Sequence, residues 1–105
     1  SCICSYDLLE KAVTSAKALG YTYHVGNVLS SDMFYGVALP QGKSWKEMGI
    51  LAVEMESAAL YANAAAAGVN ALCILTISDS EDEVTTAEER QLSFTQMMEV
   101  ALSLA

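Results

Sequence analysis

Residues Gly49 to Ser80 read GILAVEMESAALYANAAAAGVNALCILTISDS, and three patterns follow one another within them. Ile50 to Val53 is a short apolar run, Ser57 to Ala67 is rich in alanine and stops before Gly68, and Ala71 to Ile77 is apolar without interruption. Alanine is the best helix former, and a glycine just past such a run ends a helix. The spacing therefore predicts a strand, a helix over Ser57 to Ala67 and a second strand. A continuous apolar strand is typical of a parallel sheet covered on both faces. Both predicted strands run out into polar residues, Glu54 and Glu56 after the first, Ser78 and Asp79 after the second. Ligands of open α/β sheets collect beyond the carboxyl ends of strands.

Upstream, SYDLLEKAVTSAKALG (Ser5 to Gly20) predicts a helix from about Leu8 to Leu19, with Asp7 and Glu10 as a capping box and Gly20 as its stop. YTYHVGNVLSSDMFY (Tyr21 to Tyr35) carries β-formers at Tyr21, Tyr23, Val25 and Val28 before a polar Ser30-Ser31-Asp32 exit, so it reads as a strand entering a loop. A loop containing Pro40 leads to a short helical turn at about Trp45 to Met48. After the acidic SEDEV loop, Thr86 and Glu89 form another capping box and open a final helix. The alternation predicts an α/β fold, a mixed or parallel sheet flanked by helices. The strands around Val25, Ile50 to Val53 and Ala71 to Ile77 would share that sheet, and the helices beginning near Asp7, Ser57 and Thr86 would pack on it.

At 105 residues the chain has the size of one domain, yet 53% of it is apolar and its formal net charge is -8. That much hydrophobe on so small a chain predicts apolar faces that meet something outside it. The opening SCIC (Ser1 to Cys4), without an initiator Met, points the same way, to a fragment, a subunit or both. Neither a basic leader nor an apolar run of about 18 residues is present, so no membrane partner is expected and a soluble cytoplasmic protein is. Cys2, Cys4 and Cys73 form no C-x-x-C pair, and His24 is the only imidazole. A zinc site needs about four well-spaced ligands, so no metal is expected and the thiols are read as reduced. Five Lys and Arg residues stand against 13 acids, which leaves no basic stripe for nucleic acid.

The acids admit two readings. If VEME is extended, Glu54 and Glu56 project to one side and Met55 to the other. A carboxylate accepts two hydrogen bonds side by side, which suits the paired hydroxyls of a ribose, and a thioether packs on the sugar's apolar face. The other reading is structural: a Glu at a helix start complements the macrodipole, and a Met beside it is core. Asp79 after a strand could likewise be a turn former. Arg90, about the fourth residue of the final helix, stands near the positive end of its dipole, where it adds nothing to helix stability. Asp79 is a candidate partner, and a neighbouring surface Glu is the alternative.

GILAVEMESAALYANAAAAGVNALCILTISDS followed by TTAEERQLSFTQMMEVAL closely resembles the carboxyl-terminal part of bacterial purine nucleoside phosphorylases of the hexameric type, and VGNVLSSDMFY resembles an upstream segment of the same family. VEMES, TISD and TTAEER in that order are specific to it. The resemblance implies that residues 1–105 are a single incomplete α/β domain, the carboxyl-terminal part of a nucleoside phosphorylase fold. It implies reversible phosphorolysis of purine nucleosides to free base and ribose 1-phosphate, with phosphate as co-substrate, no cofactor, and a homo-oligomer. It implies that Asp79 donates a proton to purine N7 and Arg90 stabilises the carboxylate so formed. Glu56 would hold the ribose hydroxyls, Met55 would pack on the sugar and Phe34 on the base, with Glu54 and Ser78 beside them. The loop after Ser78-Asp79 departs from the family, which usually has His and Ile there and a somewhat longer loop. The family's phosphate-binding half is absent, in keeping with the scarcity of cations, so the 105 residues alone are expected to be inactive. The alternatives are a hydrolytic relative acting on methylthioadenosine or adenosylhomocysteine, and a non-catalytic fragment that keeps fold and assembly surface.

Overall fold

The computed structural model describes residues 2–33, 44–77 and 86–105. In chain order its elements are α1 (Tyr6–Leu19), β1 (Val28–Ser30), β2 (Ala52–Glu54), α2 (Ser57–Ala67) and α3 (Ala87–Leu102). They fall into two units, one formed by Ser1–Ile3 and His24–Val69, the other by Cys4–Tyr23 and Asn70–Ala105. The fold class is α/β, as the alternation of runs predicts.

In the first unit β1 and β2 pair in parallel, with Val28 opposite Ala52, Leu29 opposite Val53 and Ser30 opposite Glu54. The ladder is prolonged at both ends, by Leu51 N–H to the Asn27 carbonyl and by Ser31 N–H to the Glu54 carbonyl, each 2.9 Å. The predicted helical turn is present as a hydrogen-bonded turn over residues 45–49, in which the Trp45 carbonyl accepts from Met48 and Ile50 N–H, both at 3.1 Å. Ser44 caps this turn: its Oγ accepts from Glu47 N–H at 3.1 Å. Because Ile50 N–H is taken by the turn, β2 begins at Ala52 and not at the expected Ile50. The upstream strand is also shorter than expected. Tyr21, Tyr23 and Val25 lie outside the ladder, which starts at Val28, because a parallel strand extends only as far as its three-residue partner offers backbone groups.

α2 matches its predicted bounds. It closes with Gly68 at φ 70°, where Gly68 N–H bonds the Ala65 carbonyl at 3.2 Å and Val69 N–H the Ala64 carbonyl at 3.0 Å. These are the paired closing bonds of a Schellman motif, and the left-handed residue between them favours glycine.

In the second unit α1 and α3 pack through Ala12, Ala16 and Val100, with Tyr21, Leu72, Ile74 and Leu104 around them. Tyr21 donates from its hydroxyl to Glu99 Oε2 at 2.8 Å, and the Ser103 and Ser15 hydroxyls meet at 2.7 Å. Alanine at the helix contact lets the backbones approach closely, and the polar pairs border it.

Two expectations are corrected here. The N-cap of α1 is Ser5, not Asp7: Ser5 is extended (φ -69°, ψ 123°) and its Oγ accepts from Leu8 N–H at 3.4 Å. Ser5 N–H is bonded to the Ala71 carbonyl at 2.9 Å, which holds the backbone extended one residue before Tyr6 and leaves Asp7 in the first turn. Residues 71–77 form no strand. Among the described residues their unit offers only helices, whose backbone groups are paired internally, so an apolar run with strand composition has no edge to join. It packs Leu72 and Ile74 on the helix contact instead. The sheet is therefore two-stranded among the described residues.

Among those residues the buried apolar side chains are Ala12, Ala16, Ala64 and Val100, whereas Ile3, Val25, Met33, Val69 and Leu92 are exposed. None of the described helices is long and apolar enough to cross a membrane. Gly68→Ala should lower unfolding stability by about 1 kcal/mol, the cost of a left-handed conformation for an L residue, while Gly68→Asn should lose less. Denaturant unfolding of both variants checks this.

Candidate active site

The site begins at the end of β2. Its third residue, Glu54, is the last in the ladder, and the chain bends at Met55 and Glu56 before α2 starts at Ser57. Glu56 occupies the N-cap position with φ -128° and ψ -20°, outside the extended region. VEME is thus not a continuous strand, and strand alternation does not apply to Glu56.

The first N–H groups of a helix have no partner within it. An N-cap side chain usually accepts one of them, but Glu56 makes no such bond. The donors are met from the two strand ends. Glu54 Oε2 accepts from Glu56 N–H at 2.6 Å and from Ser57 N–H at 2.7 Å, and its Oε1 accepts from the Ser57 hydroxyl. Ser30, opposite Glu54 in the ladder, accepts from Ala58 N–H at 3.2 Å. Ser57 is buried, with 4% of its surface exposed. The bend is therefore fixed by Glu54, Ser57 and Ser30 together.

Burial pushes the Glu54 carboxyl up. The Ser57 hydroxyl, the N–H groups of Glu56 and Ser57 and the Ser30 hydroxyl together outweigh it, so the group titrates below its ordinary value of 4.5.

Glu56 and Met55 are both exposed. Among the described residues the Glu56 carboxylate accepts from Met55 N–H, which reaches Oε2 at 3.3 Å. An exposed carboxylate of this kind can accept a pair of hydroxyls, and an exposed thioether beside it offers an apolar surface.

In the other unit, Arg90 is the fourth residue of α3 and exposed. The predicted cap is present, since Thr86 Oγ1 accepts from Glu89 N–H at 3.1 Å. Glu88 and Glu89 stand with Arg90 in the first turn. Phe34, Ser78 and Asp79 lie outside the described residues. Among the described residues no group of three or more His, Cys, Asp or Glu side chains is placed to hold a metal ion. Ser30 and Ser57 are the residues that sequence reasoning missed. Their signal was a serine at a strand exit and a serine at a helix start, both common capping positions.

A family profile described as Phosphorylase superfamily matches residues 1–105. The chain belongs to the phosphorylase superfamily. Within that superfamily it is 57% identical over 103 residues to a protein named purine nucleoside phosphorylase DeoD-type from Streptococcus pneumoniae (strain CGSP14), covering 95% of this chain and 44% of the relative. It is 50% identical over 105 residues to the protein of the same name from Clostridium novyi (strain NT), covering 98% of this chain and 45% of the relative. This superfamily chain thus spans less than half the length of the curated relatives it matches.

Because the folded Glu54 carboxyl titrates below its unfolded value, its contribution to stability is fully present above pH 4.5 and is lost as pH falls through the folded value. Glu54→Gln should therefore cost about 0.5 to 2 kcal/mol near neutral pH, the range for a helix cap, and the gap from wild type should narrow below pH 4.5. Unfolding measured across pH for the two proteins checks the sign.

Proposed function

We propose that the protein to which these residues belong is a purine nucleoside phosphorylase, acting on purine ribo- and deoxyribonucleosides with phosphate and needing no cofactor. The observation that carries the reading is the 57% identity over 103 residues, which includes the VEMES bend, to a relative named for that activity. In the reaction, phosphate oxygen attacks the anomeric carbon, the glycosidic bond breaks, and its electron pair leaves with the base. Protonation at N7 makes the purine a better leaving group.

On this reading Glu56 accepts hydrogen bonds from the ribose hydroxyls, Met55 lies against the sugar and Phe34 against the base, with Glu54 and Ser78 bordering them. Asp79 supplies the N7 proton and Arg90 stabilises the resulting carboxylate. The free acid has a pKa near ~3.9, so an acid working at neutral pH needs its value raised, and a permanently close guanidinium would lower it. Arg90 therefore approaches Asp79 with the nucleoside bound, so that the ion pair forms as the proton departs and favours the transition state over the ground state. The five Lys and Arg residues of this stretch are few for a phosphate site, which supports placing most phosphate contacts on other residues of the protein. A cytoplasmic homo-oligomer, a hexamer by the resemblance, belongs to the same reading and is supported by the exposed apolar side chains.

In the full-length protein, Asp79→Asn should cut turnover of inosine or adenosine by roughly 10² to 10⁴, the range for losing a general acid. A nucleoside already alkylated at N7 needs no proton, and its phosphorolysis should be largely spared. Equal loss on both substrates would show that Asp79 positions the base without protonating it. Turnover that does not depend on phosphate would favour the hydrolytic alternative.

A further inference from the structure

We propose that Glu54 is a positioning residue: bound to the N–H groups of Glu56 and Ser57 and to the Ser57 hydroxyl, it fixes the bend that presents Met55 and Glu56 to the sugar, and it does not itself take a sugar hydroxyl. The inference rests on the phosphorylase reading above and divides the work of the two acids.

Acceptor capacity carries the argument. A carboxylate offers about four lone-pair sites. At Glu54, Oε2 holds two backbone N–H groups and Oε1 holds the Ser57 hydroxyl, which leaves too few sites for a pair of sugar hydroxyls. A pair of ribose hydroxyls binding there would have to displace one of these donors, and the backbone N–H groups among them have no other partner in the helix. Glu56 is in the opposite position. It is exposed, it makes no capping bond, and Met55 N–H engages only its Oε2. Because the cap is supplied from two residues upstream, the residue at the N-cap position keeps its carboxylate for a ligand.

Ser57 and Ser30 extend the same device. The Ser57 side chain points back to Glu54 and is buried, so it cannot touch a sugar yet helps hold the carboxylate. Ser30 ties the first strand to the start of α2 by accepting from Ala58 N–H. The bend is thus held from both strand ends, and its geometry depends on residues that make no substrate contact.

The test uses the full-length enzyme with Glu54→Gln, Ser57→Ala and the double variant, assayed with a nucleoside, with its 2′-deoxy and 3′-deoxy analogues, and against phosphate. The expected result is a nucleoside KM raised roughly 3- to 30-fold in Glu54→Gln, the factor that loss of a helix cap can produce, with a smaller rise in Ser57→Ala. The KM for phosphate should stay put, the double variant should be little worse than Glu54→Gln alone, and the deoxy analogues should suffer the same factor. A loss that vanishes for one deoxy analogue, with Ser57→Ala unaffected, would make Glu54 a direct sugar ligand and overturn the proposal. Should Glu54→Gln fail to fold, Ser57→Ala decides alone, and a wild-type nucleoside KM in that variant overturns it. If the wild-type protein turns over no nucleoside, the functional reading fails and the presentation of Met55 and Glu56 to a sugar falls with it. Amide exchange at Glu56 and Ser57 in Glu54→Gln then separates that failure from a failure of the cap.

Discussion

Backbone donors at the start of α2 must be satisfied, and the residue at the N-cap does not do it. The solution is a carboxylate supplied by the last residue of the preceding strand, seconded by a serine on the neighbouring strand. Three features depend on it. β2 ends where its own side chain turns to serve the helix, α2 starts at a buried serine, and the intervening Met55 and Glu56 are thrown outward. A parallel ladder of three residues is a small platform, and here it is joined to a helix by side-chain hydrogen bonds as well as by the chain.

The platform is small in packing terms too. Among the described residues the buried apolar side chains are three alanines and a valine, while 53% of the chain is apolar. Surfaces of that kind are normally covered within a larger protein or an assembly. The curated relatives matched here are more than twice the length of this chain.

How far the sequence disclosed this differs from element to element, for physical reasons. The bounds of α2 were legible because alanine propensity, Gly68 and the serine start agree. The strand at 71–77 was not, since an apolar run states only that it will be buried, and a ladder needs a partner edge that composition cannot supply. The cap of α1 was misplaced by two residues because Ser5 and Asp7 are both good caps, and the bond from Ser5 N–H to the Ala71 carbonyl, 66 residues away in sequence, decides between them. At the candidate site, the sequence offered Glu54 and Glu56 as equivalent neighbours. Their difference comes from the bend, which period-two reasoning cannot anticipate. Arg90 was placed correctly in the first turn of α3, and its role is a matter of the chemistry proposed above.

The hydrogen bond that Ala58 N–H donates to Ser30 Oγ bears on local opening. Local opening in proteins proceeds in cooperative patches, and a patch is defined by which hydrogen bonds must break together. Ser30 sits in the β1–β2 ladder and also receives the N–H of the second residue of α2. Fraying of the helix start then breaks a bond to the sheet as well as bonds within the helix. A short helix end, ordinarily the first part of a fold to flicker open, is here anchored to the sheet.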